Sequence, residues 1–232
     1  VSTVTIATYN IHSCVGRDGV YDPSRVARVI RETGAGIVAL QEVDNGYRVT
    51  AAWEMLYILE RETGMKALAG PTLHSTGGFF GNAILTRFPV LDSGRYSMGV
   101  RPYEPRGLVV FRPGGELEGI TFMATHLGLR IRERRIQVSR LREILAAHRE
   151  RPLVLAGDFN DWIPFSPTVR SILNNRAKGT CLRTWPSAFP LFPLDRLLSD
   201  PPTSLARRRV HRSETSRVAS DHLPLLGDLV LP

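Results

Sequence analysis

Several apolar runs in this sequence end on a side chain that can bind a metal, move a proton or hold a phosphate. Asn10 follows "IATY", Glu42 follows "IVALQ", and His126 follows "FMAT". Asp158 and Asn160 follow "LVLAG", Asp195 lies in "PLDRLL", and Asp221 and His222 precede a last apolar run. Polar strand ends are common, so no single one of these carries weight. Together they are carboxylates, amides and imidazoles, and sheets that bring the ends to one rim would make a cleft of hard oxygen ligands with two histidines. Such ligands, without a cysteine or histidine cluster, favour Mg²⁺ or Mn²⁺ over zinc. A histidine beside a carboxylate can activate water or stabilise charge on a phosphoryl group. Phosphoryl transfer needs mainly positioning and electrostatics, which this set supplies. Other chemistries lack their motifs: there is no GxxxxGK, no GxGxxG after a strand and no GxSxG. The glycine-rich "TGGFFGN" reads as a loop into a strand.

The elements that must carry these residues are legible from periodicity. "VTIATYNI" and "GIVALQEV" read as buried strands, and "NAILTRFPV", "GLVVFR", "ITFMATHL" and "PLVLAGDFND" as further ones. "PLDRLLS" and "LPLLGDLVL" read as the final strands. "YDPSRVARVIRETG" reads as a helix, capped by Asp22, opened by Pro23 and stopped by Gly34. Residues 51–62 and 132–149 are helical in pattern. Strands outnumber helices and do not alternate strictly with them, which favours mixed sheets with helices outside. No Pro/Gly/Ser linker divides the chain, so residues 1–232 read as one domain.

Composition bounds the class. The 232 residues carry a net charge of +8, with arginine supplying nearly all of the positive charge. That balance favours anionic partners: nucleic acid, phosphorylated metabolites or anionic lipid. No apolar run approaches the roughly 20 residues of a spanning helix. Cys14 and Cys181 show neither metal spacing nor a disulfide framework. The expected location is therefore the cytoplasm, with a leader upstream of Val1 left open, and the expected state is a monomer.

In this order, "TYNI", "LQEV", "GNAILTRFPV", "THL", "GDFN", "LDRLL" and "SDHLP" resemble the endonuclease/exonuclease/phosphatase superfamily, from Val4 to Leu231. The resemblance implies an α+β fold, a four-layered α/β/β/α sandwich of two β-sheets flanked by helices, with the active site at one edge. It implies Glu42 as the main carboxylate on Mg²⁺ (or Mn²⁺), Asn10 as a ligand or close neighbour, and Asp221 holding metal directly or through water. His222 would be the catalytic histidine, oriented by Asp195. Asp158 would position or deprotonate the attacking water, and Asn160 and His126 would hydrogen-bond the phosphate. Arg106, in "EPRGLVV", matches a position that often carries arginine near the phosphate. His12 stands where abasic-site endonucleases tend to have aspartate, which tilts the resemblance away from DNA repair.

Substrate selection is expected from loops. Trp162, Phe165, Trp185, Phe189 and Phe192 lie between Asn160 and Asp195 or close to it. They would either stack on a base, dip into a lipid interface or pack over the sandwich edge. Arg207, Arg208 and Arg209 are expected in a loop lining the approach to the site and attracting polyanions. A second arginine cluster, from Arg130 to Arg142, reads as a solvated helix face. The functional expectation is a metal-dependent phosphoester hydrolase acting on nucleic acid, phospholipid or a small phosphoester. The competing expectation is a binding module of the same fold.

Overall fold

Strand alternation sorts the apolar side chains into three layers. Strand β1 spans Thr3–Asn10 and β2 spans Ile37–Asn45. Along β2, Val38 and Leu40 join one cluster, and Ile37 and Ala39 join another on the opposite face, as the two-residue period of a strand requires. These features belong to a computed structural model that describes residues 2–48, 54–148, 150–164, 166–172, 181–201 and 204–231.

The remaining strands are β3 (Lys66–Ser75), β4 (Gly78–Thr86), β5 (Val90–Ser97), β6 (Gly107–Pro113), β7 (Thr121–His126), β8 (Leu153–Asp158), β9 (Asp195–Asp200), β10 (Leu205–Val210) and β11 (Leu225–Val230). They form a six-stranded sheet in the order β10-β11-β1-β2-β4-β3 and a five-stranded sheet in the order β5-β6-β7-β8-β9. Both sheets are mixed: β1 and β2 run parallel, as do β7 and β8, while β1 and β11 pair antiparallel, as do β8 and β9.

Helices α1 (Pro23–Thr33) and α2 (Met55–Thr63) cover the outer face of the six-stranded sheet. Val26, Val29 and Ile30 of α1 and Met55 and Leu59 of α2 pack there against Val38 and Leu40. Helices α3 (Ile131–Ala147) and α4 (Pro167–Ile172) lie on the other outer face, where Val138, Leu141 and Leu145 meet Met123, Leu153 and Leu155. Between the sheets Ile6, Ile37 and Ala39 meet Phe122, Val154 and Ala156. The result is the expected α/β/β/α sandwich. Helix α1 forms as expected: the Asp22 side chain accepts from Arg25 N at 2.9 Å, and Gly34 ends it in the left-handed region at φ 66°. No helix among the described residues is long and apolar enough to cross a membrane.

One expectation needs correction. "NAILTRFPV" is not one strand: β4 ends at Thr86 and β5 begins at Val90, in the other sheet. Pro89, lacking a donor, sits where the chain changes sheets. Strands β3, β5 and β10 were not anticipated, and their solvent-facing sequences explain why. The second helix is found at Met55–Thr63; the first residues of its expected span, from Ala51, lie outside the described residues.

Register then does the positioning. His126 pairs with Asp158 across β7 and β8, and Asp158 pairs with Asp195 across β8 and β9. All three continue the alternation of Ala124, Ala156 and Leu197, which face the space between the sheets. Thus three adjacent strands end on three polar groups aimed into one gap. Gly157 permits this closeness: a Cβ there would meet the Thr125 carbonyl oxygen at 2.0 Å. Replacing it, Gly157→Ala, should force β7 and β8 apart and cost about 2–3 kcal/mol. Thermal or urea denaturation measures this, and an unchanged midpoint would contradict the packing described.

Candidate active site

At the end of β1, Asn10 joins the two sheets. Its Nδ2 donates to Glu42 Oε1 at 2.9 Å and to Asp158 Oδ2 at 3.1 Å. Its Oδ1 accepts from His12 N at 3.1 Å. The amide oxygen is therefore engaged with the chain, and the amide nitrogen binds two carboxylates. This arrangement places Asn10 beside Glu42 and Asp158, between the two carboxylates. Glu42 lies in a β-bulge, where the register with β4 shifts between Leu40 and Val43, and its φ is 57°. An uninterrupted strand would turn residue 42 to the helix-covered face, since Ile37, Ala39 and Gln41 alternate towards the gap. The bulge re-aims the carboxylate.

Asp158, Asp195 and His222 form a sealed cluster, each with a buried side chain. Each offers a ligand atom, and these atoms lie within 4.8 Å of one another. Asp195 Oδ2 is 2.9 Å from His222 Nδ1, and Asp158 Oδ2 is 3.7 Å from His222 Nε2. Burial alone would lower the imidazole pKa, but the Asp195 carboxylate, then Asp158 and Asp221, carry it up to about 10. His222 is thus a cation held between two carboxylates. Burial, aided by Asp195, raises the Asp158 carboxyl to about 6, against the lowering pull of His222, Asn160 N–H and Asn10. Asp158 remains an anion at neutral pH, yet basic for a carboxylate.

His126 approaches the same oxygen from the five-stranded sheet, with Nε2 3.6 Å from Asp158 Oδ2. Burial, then the charges of Arg106 and His222, push its pKa well below the ordinary range, so the ring is neutral. Arg106 Nη1 lies 3.0 Å from His126 Nδ1. A guanidinium can only donate, so in that contact Nδ1 accepts. Asn160 Nδ2 also approaches Nε2 at 3.0 Å, but its closer partner is the Leu127 carbonyl at 2.8 Å. Asn160 holds φ 48°, in the left-handed region that asparagine tolerates. Its backbone N–H donates to Asp158 Oδ1 at 2.8 Å. Arg106 is in turn held by Glu104 at 3.1 Å, and Glu104 by Arg48 at 2.8 Å.

Asp221 sits at the mouth, half-buried. Trp185 Nε1 donates to its Oδ2 at 3.0 Å. Ser220 Oγ donates to the Asn10 carbonyl at 2.7 Å and accepts from His222 N at 3.2 Å. Ser220 and Glu104 were not singled out from sequence, and Trp185 only as one of the aromatics of the substrate-selecting segment. "SDH" held a signal for Ser220; nothing local signals a contact between Trp185 and a residue 36 positions away.

The structure therefore gathers Asn10, Glu42, Arg106, His126, Asp158, Asn160, Asp195, Asp221 and His222 at one end of the gap. It does not bring Arg207, Arg208 and Arg209 there. They are on strand β10 and not in a loop. Arg207 Nε and Arg209 Nη1 bind Asp228 at 3.0 and 2.9 Å, and Arg208 Nε donates to the Leu197 carbonyl. Asp228 pairs with Thr5, five residues before Asn10 on β1, which at strand rise is about 16 Å from the site end. This corrects the expectation that they line the approach: an edge strand with charged outward residues is easily taken for a loop. His12 is exposed, its Nδ1 3.0 Å from the Val15 carbonyl. Trp162, Trp185 and Phe192 pack edge to face or tilted, with centroids 4.8–6.0 Å apart, whereas Phe189 is exposed. Phe165 lies outside the described residues.

Two sheets presenting carboxylate, imidazole and guanidinium groups at one edge define a phosphoester hydrolase. The chain belongs to the Endonuclease/Exonuclease/phosphatase family, whose model matches residues 7–222. It is similar to the uncharacterized protein YbhP of Escherichia coli (strain K12), at 31% identity over 97% of this chain and 96% of that one. Among solved structures it resembles an endonuclease/exonuclease/phosphatase from Bacteroides vulgatus, with a TM-score of 0.78, 20% identity and full coverage of both chains. It also resembles the mannosyl-6-phosphatase Bt3783 of Bacteroides thetaiotaomicron, with a TM-score of 0.74, 16% identity, and coverage of 98% of this chain and 100% of that one.

The His222–Asp195 pair has a stability consequence. An unfolded histidine titrates near about 6.5, and the folded one at about 10. The pair's stabilisation is therefore complete below about 6.5 and lost as pH rises through about 10. Asp195→Asn should cost about 3–5 kcal/mol at neutral pH, because it strands a buried charge. The Tm gap between this variant and the wild type should narrow above about pH 10. A gap constant across that range would contradict the assignment.

Proposed function

We propose that this chain is a hydrolase of phosphate esters that depends on Mg²⁺ or Mn²⁺. The observation that carries the reading is the convergence on Asp158 Oδ2: Asn10 Nδ2 at 3.1 Å, His126 Nε2 at 3.6 Å and His222 Nε2 at 3.7 Å. Asp158, titrating near 6, suits a general base that aligns and deprotonates water at neutral pH. His222, kept charged by Asp195, suits stabilisation of the growing negative charge on phosphoryl oxygens. His126 and Asn160 are proposed to hydrogen-bond the phosphate. The two sheets enclose a common core, which supports treating residues 1–232 as one domain.

Two candidate metal sites compete. Asp158, Asp195 and His222 are close enough to chelate, but Asp195 Oδ2 and His222 Nδ1 are already engaged with each other at 2.9 Å. Glu42 and Asp221 fit better: both carboxylates are half-buried, and Glu42 Oε1 is steered by Asn10. Hard oxygen donors of this kind suit Mg²⁺ or Mn²⁺. When bound there, the ion would supply Lewis-acid polarisation of a phosphoryl oxygen.

The expected activity is hydrolysis of bis(p-nitrophenyl) phosphate with Mg²⁺ or Mn²⁺, abolished by EDTA. His222→Ala and Glu42→Ala should each lower the rate by about 10²–10⁴-fold. Full activity of His222→Ala in EDTA would overturn the mechanism.

A further inference from the structure

Eleven large apolar side chains are exposed among the described residues, and six of them lie on three loops that adjoin the active-site strands or, for Ile131, at the start of the helix that follows one of them. Leu129 and Ile131 follow His126; Trp162 and Ile163 follow Asn160; Phe189 and Leu191 lie in the segment entering Asp195. They are 41–72 % exposed. The three loops are continuous with one another. Ile131 and Ile163 line one open cavity of about 450 Å³, together with Val138, Pro167 and Arg135. Trp162, beside Ile163, stacks against Trp185 and Phe192, which bracket Phe189 and Leu191. Trp185 in turn bonds Asp221 at the site mouth. A contiguous exposed apolar rim of this kind marks an interaction surface.

The exposed charged side chains named on these segments are arginines, with the Asp221 carboxylate half-buried behind Trp185. Arg130, Arg132 and Arg135 are exposed on the first turns of α3, and Arg183 is exposed next to the aromatic segment. The acidic residues nearest in these loops are turned inward: Glu133 is buried against Gln137, and Asp161 is buried against Ser166. Apolar tips set among arginines suit a layer that is hydrocarbon beneath and anionic at its surface. Single-stranded nucleic acid would share the charge complementarity but would need π-faces to stack on. Four of the six exposed side chains are leucine or isoleucine and have none.

We propose that this rim docks the protein on an anionic phospholipid bilayer, with headgroup phosphodiesters presented to the active site. The inference rests on the hydrolase reading above and assigns the surface from which that site takes its substrate.

The test is sedimentation of the full chain with vesicles of phosphatidylcholine, with and without phosphatidylglycerol. The wild type should partition onto the phosphatidylglycerol vesicles and be released by salt. The double variant Ile131→Asp/Ile163→Asp should lower the bound fraction about tenfold or more. Neither residue belongs to the site, so its rate on soluble bis(p-nitrophenyl) phosphate and its Tm should match the wild type. Failure of the wild type to partition, or equal partition by the variant, overturns the proposal. So does loss of single-stranded DNA binding in the variant without vesicle binding by the wild type. A wild type that partitions but cannot hydrolyse the soluble diester supports the docking surface and removes the hydrolase reading; an active wild type that stays in solution does the reverse.

Discussion

One hydrogen bond, from His222 Nδ1 to Asp195 Oδ2 at 2.9 Å, joins the two sheets where the chemistry sits. His222 enters from the loop before β11 of the six-stranded sheet; Asp195 opens β9 of the five-stranded sheet. Neither sheet alone makes a site. The apolar layer between them brings their ends together, and this charged pair and the Asn10 bridge set the spacing at the open edge. A buried pair of this kind contributes more to geometry than to net stability, because desolvation offsets much of its Coulombic gain. Its value lies in holding a cation where a neutral imidazole would otherwise be favoured.

Charge at that edge is divided with depth. Inside, a positive His222 sits between two carboxylates, and a neutral His126 is backed by a positive Arg106. Nearer the mouth, Glu42 and Asp221 offer carboxylates to solvent. Backbone strain collects in the same place. Among the described residues, the non-glycine positions of positive φ are His12, Ser13, Cys14, Glu42, Asn160 and Arg207, and all but Arg207 lie in or beside the site. Each costs on the order of 1 kcal/mol or more; at Glu42 it brings the carboxylate to Asn10, and at Asn160 the backbone N–H to Asp158.

The strands that deliver the site were legible because buried strands are apolar until their last residue. The runs before Asn10, Glu42, His126 and Asp158 announce both the element and its functional end. What failed were the edges. Strand β5, "VLDSGRYS", is mostly exposed, and "LARRRV" of β10 alternates charged residues outward; neither needs an apolar face to pair. Arg207–Arg209 were consequently given to a loop and to the substrate, when Asp228 is the partner of two of them. The side-by-side register of His126, Asp158 and Asp195 depends on hydrogen bonding between distant segments and leaves no local mark. The same holds for Trp185 on Asp221. The bulge at Glu42 is likewise invisible, since a left-handed glutamate has no compositional signature.

Everything at this edge turns on His222 being a buried cation at neutral pH. The decisive measurement is NMR titration of its ring in this chain, with the signal assigned through His222→Gln. Both ring nitrogens should carry protons throughout the neutral range, with deprotonation only near pH 10. A His222 that titrates near about 6.5, as an ordinary histidine does, would contradict it.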